Sequence, residues 1–356
     1  MKKIGNSFAG VIVGFVLLVA GSVLLWWNEG NNVRNIKTTN EVSKVLIDVP
    51  SEKVDSENEG KLVATNGKII LGGDVVDSLF GIKVATAHLE REVEMYQWDE
   101  DIQTDSDDKK TYSYKKVWSE SLIDSSEFKE GGHDNPSSMP YKSEDFTASS
   151  VKIGTFSLSK GQIKRMPACE ELSLADEKPA RNLKIFGAYM TSTEDDANPK
   201  IGDVRVSWSY NDWEEASVLA KQKGDSFEDY VSKSDKTINR VENGILSGRQ
   251  IVEKVKKENK FTKWLLRGLG LAVVFAGYFL ILGPISTIAS FVPILGTLVG
   301  GMLTIVSFLV GSVHSLIIIA IAWVRFRPVL GVALLAAAAA LFVVARRLTN
   351  KNKAQK

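Results

Sequence analysis

The sequence predicts a membrane protein of the α+β class, in which four transmembrane helices carry a β-rich extramembrane domain inserted between spans 1 and 2. Long apolar segments lie near both ends of the 356-residue chain, and strand-like alternation dominates the polar region between them. Charge is segregated in the same way. All 43 acidic residues lie between Glu29 and Glu258, and 12 of the 44 Lys and Arg residues lie outside that window, which gives the window a net charge of −11 and the flanks +12. This division excludes a simple cytosolic globule and disfavours a nucleic-acid-binding protein.

The first predicted span covers residues 8–27, after a short cytoplasmic N-terminus at residues 1–7. Its 20 residues carry no charge and would form a helix about 30 Å long, which matches the hydrocarbon core of a bilayer. A secretory signal has a shorter apolar core and a small-residue cleavage site. Here Trp26 and Trp27 follow instead, and indole rings are favoured at the membrane interface. We therefore expect an uncleaved anchor.

The C-terminal apolar region must fold back on itself. Residues 268–324 contain no Asp, Glu, Lys or Arg, and one helix of that length would be about 85 Å long. Gly283-Pro284 and Pro293 predict the breaks, because proline tends to end a helix. The predicted segments are span 2 at residues 265–282, an apolar connector at 283–293, span 3 at 294–324, a turn at 325–328, span 4 at 329–345 and a basic cytoplasmic tail at 346–356. Four spans place both termini in the cytoplasm and the acidic domain on the other side of the membrane.

The polar region divides into a β-rich domain at residues 28–235 and an amphipathic stalk helix at residues 236–264. Asn66-Gly67 separates two apolar runs and predicts a two-residue hairpin turn. Residues 93–98, 112–114 and 204–210 have strand-like composition, and residues 99–108 form an acidic loop between the first two. The stalk is predicted from apolar residues that share one helical face: Ile238, Val241, Ile245, Val252 and Val255.

The sequence predicts no enzyme, no cofactor and no metal site. The three histidines, His88, His133 and His314, are not at metal-binding spacing, and the single Cys169 excludes an intrachain disulfide or a multi-cysteine zinc site. No Walker A or dinucleotide-binding motif occurs. An enzyme that uses His133 with Ser137 or Ser138 is the least favoured alternative, because no nucleophile-elbow motif accompanies them.

The predicted spans are poor in ionisable groups. His314 is their only titratable candidate apart from the weakly acidic Tyr278, which disfavours transport and leaves a channel or transporter component as the alternative. Small residues four apart allow helices to pack closely within one chain or between copies. The candidate helix-packing residues are Gly10, Gly14, Gly296 and Gly300.

Short motifs in a fixed order make the chain resemble a known family. They include Trp27-Asn28-Glu29-Gly30 after the first span, Glu94-Met95-Tyr96-Gln97-Trp98 in the domain, and Arg327-Pro328 near the C-terminus. With these motifs the sequence resembles the LUMA family (transmembrane protein 43) from about residue 10 to residue 345. It departs from the family pattern at Asn31, where a basic residue is expected. The polar domain contains no Asn-x-Ser/Thr acceptor, which favours a prokaryotic member.

The resemblance implies a four-pass membrane protein with a large lumenal or periplasmic domain and no established catalysis. Animal members are associated with the endoplasmic reticulum and inner nuclear membrane, where they organise complexes that include lamins and emerin, and they self-associate. We therefore predict a non-catalytic scaffold whose partners are the lipid bilayer, further copies of itself and other membrane proteins. Its expected location is the cell inner membrane if bacterial, or the endoplasmic reticulum and inner nuclear membrane if eukaryotic.

Overall fold

The computed structural model describes residues 2–104, 109–289 and 293–329. The helices are α1 (Lys2–Val45), α2 (Lys160–Ile163), α3 (Gly248–Ala289) and α4 (Pro293–Phe326). The strands are β1 (Ile47–Asp48), β2 (Leu62–Leu71), β3 (Val75–Asp77), β4 (Ile82–Val84), β5 (His88–Thr104), β6 (Lys110–Ser119), β7 (Glu144–Thr147), β8 (Val151–Ile153), β9 (Phe156–Ser157), β10 (Glu170–Glu171), β11 (Lys184–Phe186), β12 (Tyr189–Thr191), β13 (Val204–Tyr210), β14 (Glu215–Lys223), β15 (Ser226–Glu228), β16 (Tyr230–Val231), β17 (Thr237–Ile238) and β18 (Arg240–Asn243).

Two compact units are present, one helical and one β-rich. The helical unit consists of α1 up to Ser43, the short segment Ser232–Lys236, and α3 and α4 from Val252 onward. It contains three helices that are long and apolar enough to cross a membrane, at Ala9–Val45, Gly248–Ile285 and Gly300–Phe326. The chain is thus a membrane protein with three candidate spans among the described residues. The predicted fourth span, at residues 329–345, and the tail at 346–356 lie outside the described residues, apart from Val329.

The β-rich unit comprises Lys44–Val231 and Thr237–Ile251, between the first and second candidate spans. One seven-stranded sheet has the order β15-β14-β2-β8-β9, with β1 also on β2 and β18 also on β14. A second has the order β11-β12-β13-β5-β6, with β10 on β13 and β7 on β5. One hydrophobic core is shared by both sheets, since it contains Val63 and Phe156 of the first together with Met95 and Trp208 of the second.

The strand predictions for the second sheet are confirmed. Residues 93–98 lie in β5, residues 112–114 lie in β6, and residues 204–210 form β13. Burial alternates along β13, because Val204, Val206 and Trp208 face the core. The predicted acidic loop is shorter than expected, since β5 continues through Thr104 and pairs with β6; residues 105–108 lie outside the described residues.

The predicted hairpin turn at Asn66-Gly67 is wrong. Both residues lie inside β2, which runs without interruption through ten residues. Its first part pairs with β14 and its last three residues pair with β8. The pairing with two different strands satisfies the backbone of β2, and this tertiary pairing overrides the local turn preference.

The predicted stalk helix begins later than the apolar spacing suggests. Ile238 lies in β17 and Val241 in β18, where they are buried, and Gly244 follows with a positive φ of 80° that ends the strand. The helix α3 starts at Gly248. Ser247 and Gln250 form reciprocal hydrogen bonds at this start, the signature of a capping box.

The helices also extend beyond the predicted limits of the spans. The first continues from Trp27 to Val45, because residues 28–45 contain no proline and their polar side chains are compatible with helix outside a bilayer. Helix α3 runs through Pro284, where the sequence predicts a break, and continues to Ala289. Transmembrane helices tolerate an internal proline when neighbouring groups satisfy the freed carbonyl. Of the predicted connector at residues 283–293, residues 283–289 are therefore helical.

Candidate functional site

A buried carboxylate joins the three long helices. Glu29 is 0% exposed and follows the apolar part of α1. Arg267 of α3 donates a hydrogen bond from Nε to Glu29 Oε1 at 2.7 Å, and its Nη2 lies 2.7 Å from the same oxygen in an ion pair. Trp323 of α4 donates its indole N–H to Glu29 Oε2 at 2.8 Å. Both carboxylate oxygens are satisfied, as a buried charge requires.

The residues next to Glu29 in the sequence motif support the same junction. Asn28 is buried and donates from Nδ2 to the carbonyl oxygen of Lys263 at 3.1 Å. Gly30 lies against Phe326, whose ring atoms would be 2.8 Å from a Cβ at this position. Trp27 instead keeps 49% of its surface exposed, as expected for an indole at the membrane interface. The tetrapeptide therefore packs helices together on one side and faces outward on the other.

A second polar group lies deeper among the same helices. His314 of α4 is hydrogen bonded through Nε2 to the Ser22 hydroxyl at 2.8 Å and through Nδ1 to the Tyr278 hydroxyl at 2.9 Å. The Ser22 hydroxyl donates its proton to the carbonyl oxygen of Leu18. The Ser22 oxygen then accepts from the Nε2–H of His314. Both ring nitrogens are engaged in bonds that link α1, α3 and α4.

Small residues bring α1 and α3 into close contact. A Cβ at Gly14 would lie 2.7 Å from the carbonyl oxygen of Gly277, and one at Gly277 would lie 2.9 Å from that of Gly14. One helical heptad along, Gly21 lies against Val274, and Gly270 lies against Leu25. On α1 the glycines in contact with α3 are therefore Gly14 and Gly21, seven apart, and the packing role of Gly10 stays a prediction. A Cβ at Gly10 would meet no described atom within 4 Å. Gly296 and Gly300 lie on α4, and their packing role stays a prediction.

The residues of the motif in β5 pack, pair and hydrogen bond with other residues of the β-rich unit. Glu94 forms an ion pair with Arg205 on β13, and Met95 is 1% exposed in the core. Tyr96 contacts the ring of Trp118. Gln97 is fully buried; its Nε2 donates to the carbonyl oxygen of Ser121, and its Oε1 accepts from the backbone N–H of Ile123.

Trp98 and the loop that follows β6 are joined through Asn135. Its Oδ1 accepts from the Trp98 backbone N–H at 2.7 Å, and its Nδ2 donates to the Trp98 carbonyl oxygen at 2.9 Å. The amide thus imitates a neighbouring strand. His133, the candidate for catalysis, stacks on Tyr114 with a ring-centroid distance of 3.8 Å and contacts Trp98 edge-on. These contacts give the imidazole a packing environment.

Carboxylates along β5 have shifted pKa values. The hydrogen bond from the Tyr114 hydroxyl, with a second from the backbone N–H of Lys129, lowers the pKa of Glu100. Burial and the bond to Glu100 raise the pKa of Tyr114. Burial also raises the pKa of Glu92, and the neighbouring carboxylates Glu120, Glu94 and Glu90 add to that shift.

Among the described parts of the chain, no three His, Cys, Asp or Glu side chains converge as a metal site would need.

Comparison with known proteins decides the family. A sequence profile described as Transmembrane protein 43 matches residues 95–328. The chain belongs to the transmembrane protein 43 family. The rat protein named Transmembrane protein 43 is 31% identical over 92% of this chain and 87% of its own length. The human protein of that name is 29% identical over 97% and 92%, and the Drosophila melanogaster homolog is 28% identical over 93% of each chain. No solved structure matches the chain.

The transmembrane protein 43 motifs fall at two places in the structure. Asn28, Glu29 and Gly30 lie at the helix junction with Arg327, whose guanidinium lies 5.9 Å from the Trp323 ring and whose backbone N–H donates to the Trp323 carbonyl oxygen. Pro328 follows directly. The β5 motif lies in the β-rich unit. The sequence analysis did not find Arg267, because no motif contains it. Glu29 itself could have pointed to it, because an acidic residue at the end of one span calls for a basic residue at the same depth in another span.

Proposed function

We propose that this transmembrane protein 43 family member is a non-catalytic, multi-pass membrane scaffold that organises membrane protein complexes or membrane structure. The proposal rests on the polar side chains of the helical unit, which form hydrogen bonds between its helices. Glu29 and His314 are each hydrogen bonded to two other helices, so they serve helix packing. We further propose a fourth span at residues 329–345 and a location in the cell inner membrane, or in the endoplasmic reticulum and inner nuclear membrane of a eukaryote.

The outward face of α1 supports assembly with other membrane helices. Ile12, Val16, Val19 and Val23 are 61–69% exposed and recur at intervals of four, three and four residues. This is the spacing of a single helical stripe that contacts lipid or another helix. Because lipid and aliphatic side chains are equally apolar, close packing and polar contacts, rather than a hydrophobic drive, must stabilise such an assembly.

Cysteine cross-linking in native membranes tests self-association. With Cys169→Ser as the background, Val16→Cys and Val19→Cys should each give a disulfide-linked dimer on mild oxidation. Leu25→Cys is the matched control, because Leu25 is 0% exposed and should give none. A bifunctional reagent applied to the native chain should also capture a reproducible set of membrane proteins. A protein that stays solitary in both experiments would contradict the scaffold proposal.

A channel or transporter component is the second candidate, and the position of His314 inside a candidate span is the observation that favours it. An imidazole between two hydroxyl groups inside a span could relay protons, which is a common use of intramembrane histidine. Purified protein reconstituted in vesicles tests this candidate by ion and proton flux. Vesicles that show no flux, or flux that His314→Ala leaves unchanged, would remove it.

The absence of catalysis is also part of the proposal. His133 packs between aromatic rings, and its Nδ1 lies 3.4 Å from the carbonyl oxygen of Glu130, an ordinary loop contact. If His133 has only this packing role, His133→Phe should preserve cross-linking and binding behaviour. A hydrolytic activity of the purified protein that His133→Phe abolishes would contradict the proposal.

A further inference from the structure

We propose that a polar cavity between α1 and α3 binds the phosphate group of an anionic ligand. The cavity measures about 250 Å³ and contains residues of the helical unit only. It is lined by Asn32, Asn35, Ile36, Thr39, Asn40, Lys256, Asn259, Lys260 and Lys263. Three of these residues are lysines and none is acidic, so the lining is positive. This inference does not depend on the scaffold proposal.

A buried donor without a partner points to a ligand. Asn32 is only 6% exposed, and its Nδ2 makes no hydrogen bond within the described chain. Leaving a buried amide donor unpaired is costly, so such groups are rare in native proteins unless a ligand or water completes them. Its neighbours on α1 are satisfied: Asn28 bonds to the carbonyl of Lys263, and Asn35 donates to Asn259 Oδ1 at 2.9 Å.

The surrounding cations determine which ligand fits. Lys256 pairs with Glu253 at 2.6 Å, whereas Lys260 and Lys263 form no ion pair with a described carboxylate. The lysine ammonium groups and the Asn32 Nδ2 are donors, and an ionised phosphate offers only acceptor oxygens. Lys256, Lys260 and Lys263 are spaced by four and three residues, so they share one face of α3. The cavity is therefore complementary to a phosphate group.

Two sources can supply that phosphate, a phospholipid headgroup or a soluble phosphate ion. The position along the helices favours the headgroup. The cavity residues on α1 follow the interfacial Trp27, and those on α3 precede Trp264, whose ring lies 5.4 Å from Lys263 Nζ. Indole rings mark the membrane interface, and the phosphates of a bilayer lie just outside it.

Binding measurements on the full-length protein in detergent test the inference. The probes are a short-chain phosphatidic acid and inorganic phosphate, each titrated while the thermal midpoint is followed, with a short-chain phosphatidylcholine as the zwitterionic reference. Lys260→Gln and Asn32→Leu should each weaken phosphatidic acid binding about tenfold, the loss of one charge-assisted hydrogen bond. Lys257→Gln is the matched control, because it removes the same charge from an exposed residue of α3 that does not line the cavity.

The outcomes separate the two sources. Loss of phosphatidic acid binding in both variants but not in Lys257→Gln supports a headgroup site, provided that inorganic phosphate binds weakly. If inorganic phosphate binds equally well and responds to the same variants, the ligand is a soluble anion at the proposed site. The inference is overturned if neither probe binds, or if Lys257→Gln weakens binding as much as Lys260→Gln. Should Asn32→Leu fail to fold, Lys260→Gln decides alone.

Discussion

At the scale of single residues, the helical unit depends on polar side chains that each have more than one partner. Glu29 accepts hydrogen bonds from an arginine and from an indole on different helices. In a low-dielectric setting, removal of one partner leaves the other as an uncompensated buried charge. The energetic role of Glu29 is therefore best measured by comparing single and paired substitutions.

Glu29→Ala should lower the free energy of unfolding by about 3–5 kcal/mol, because it leaves Arg267, whose side chain is only 14% exposed, without its counter-charge. The double variant Glu29→Leu/Arg267→Met should be more stable than Glu29→Ala, since neither charge then remains. Unfolding in mixed detergent micelles measures both, with Glu194→Ala, an exposed carboxylate, as the control. A double variant less stable than the single one would contradict this explanation.

Removing the charge of Glu92 should stabilise the protein, whereas removing the charge of Glu29 should destabilise it. Burial and three neighbouring carboxylates raise the pKa of Glu92, so the folded state binds a proton more tightly than the unfolded state does. The ionised form is unfavourable to folding, and this penalty is absent below the unfolded pKa and develops as pH rises through the folded pKa. Glu92→Gln should therefore raise the thermal midpoint at neutral pH but not at a pH below the unfolded pKa. A stabilisation that is the same at both pH values would contradict this explanation.

At the scale of elements, the contact between α1 and α3 rests on glycines seven residues apart. Gly14 and Gly277 each leave room for the backbone of the other helix. Pairing of this kind places backbone carbonyls close to backbone carbon atoms, where dispersion and weak Cα–H···O contacts replace side-chain packing. Any side chain at these positions must push the helices apart.

Gly14→Ala should destabilise the helical unit, because its Cβ would lie 2.7 Å from the Gly277 carbonyl oxygen. Gly10→Ala is a matched control four residues earlier on α1, where a Cβ meets no described atom within 4 Å. It should be neutral or slightly stabilising, since alanine favours helix over glycine by about 1 kcal/mol. Thermal unfolding in detergent distinguishes the two. Equal effects of both substitutions would argue against close packing at Gly14.

Elements that depend on one local pattern can be predicted from this sequence, whereas elements that depend on long-range pairing cannot. The alternation in residues 204–210 predicted β13, because a half-buried strand needs only period two. Asn66-Gly67 predicts a turn but lies inside β2, since the pairing of β2 with two strands is a long-range property. Ile238 and Val241 fit a helical spacing but occupy strands. At the candidate site, Glu29 was found through its motif, whereas its partner Arg267 is 238 residues away and became visible only in the fold.

At the scale of the whole molecule, the number of spans determines where the two ends of the chain lie. The helical unit contains three candidate spans among the described residues, and the apolar run at residues 329–345 predicts a fourth. An even number places the C-terminal tail on the side of the N-terminus, opposite the β-rich unit. An odd number of spans places the tail on the side opposite to the N-terminus.

Labelling with a membrane-impermeant maleimide tests this prediction. Cys169, the single cysteine, is exposed in the β-rich unit and is a natural reporter for its side of the membrane. With Cys169→Ser as background, Lys3→Cys and Lys353→Cys should be labelled together, from the side opposite to that which labels Cys169. Labelling of Lys353→Cys from the same side as Cys169 would reduce the spans to three.

The long ribbon formed by β5 and β6 has a consequence for solubility. Beyond Trp98, over Asp99–Thr104 and Lys110–Lys115, the two strands pair with each other and with no other described strand. They carry opposite charges, as at Asp99 and Lys115, which form an ion pair. A ribbon with free edges invites strand addition from other molecules and eventually fibrils. Two acidic β5 edges brought together would repel, as would two lysine-rich β6 edges. The ribbon should therefore resist pairing between two β5 edges at neutral pH and lose that protection when its carboxylates are neutralised by acid.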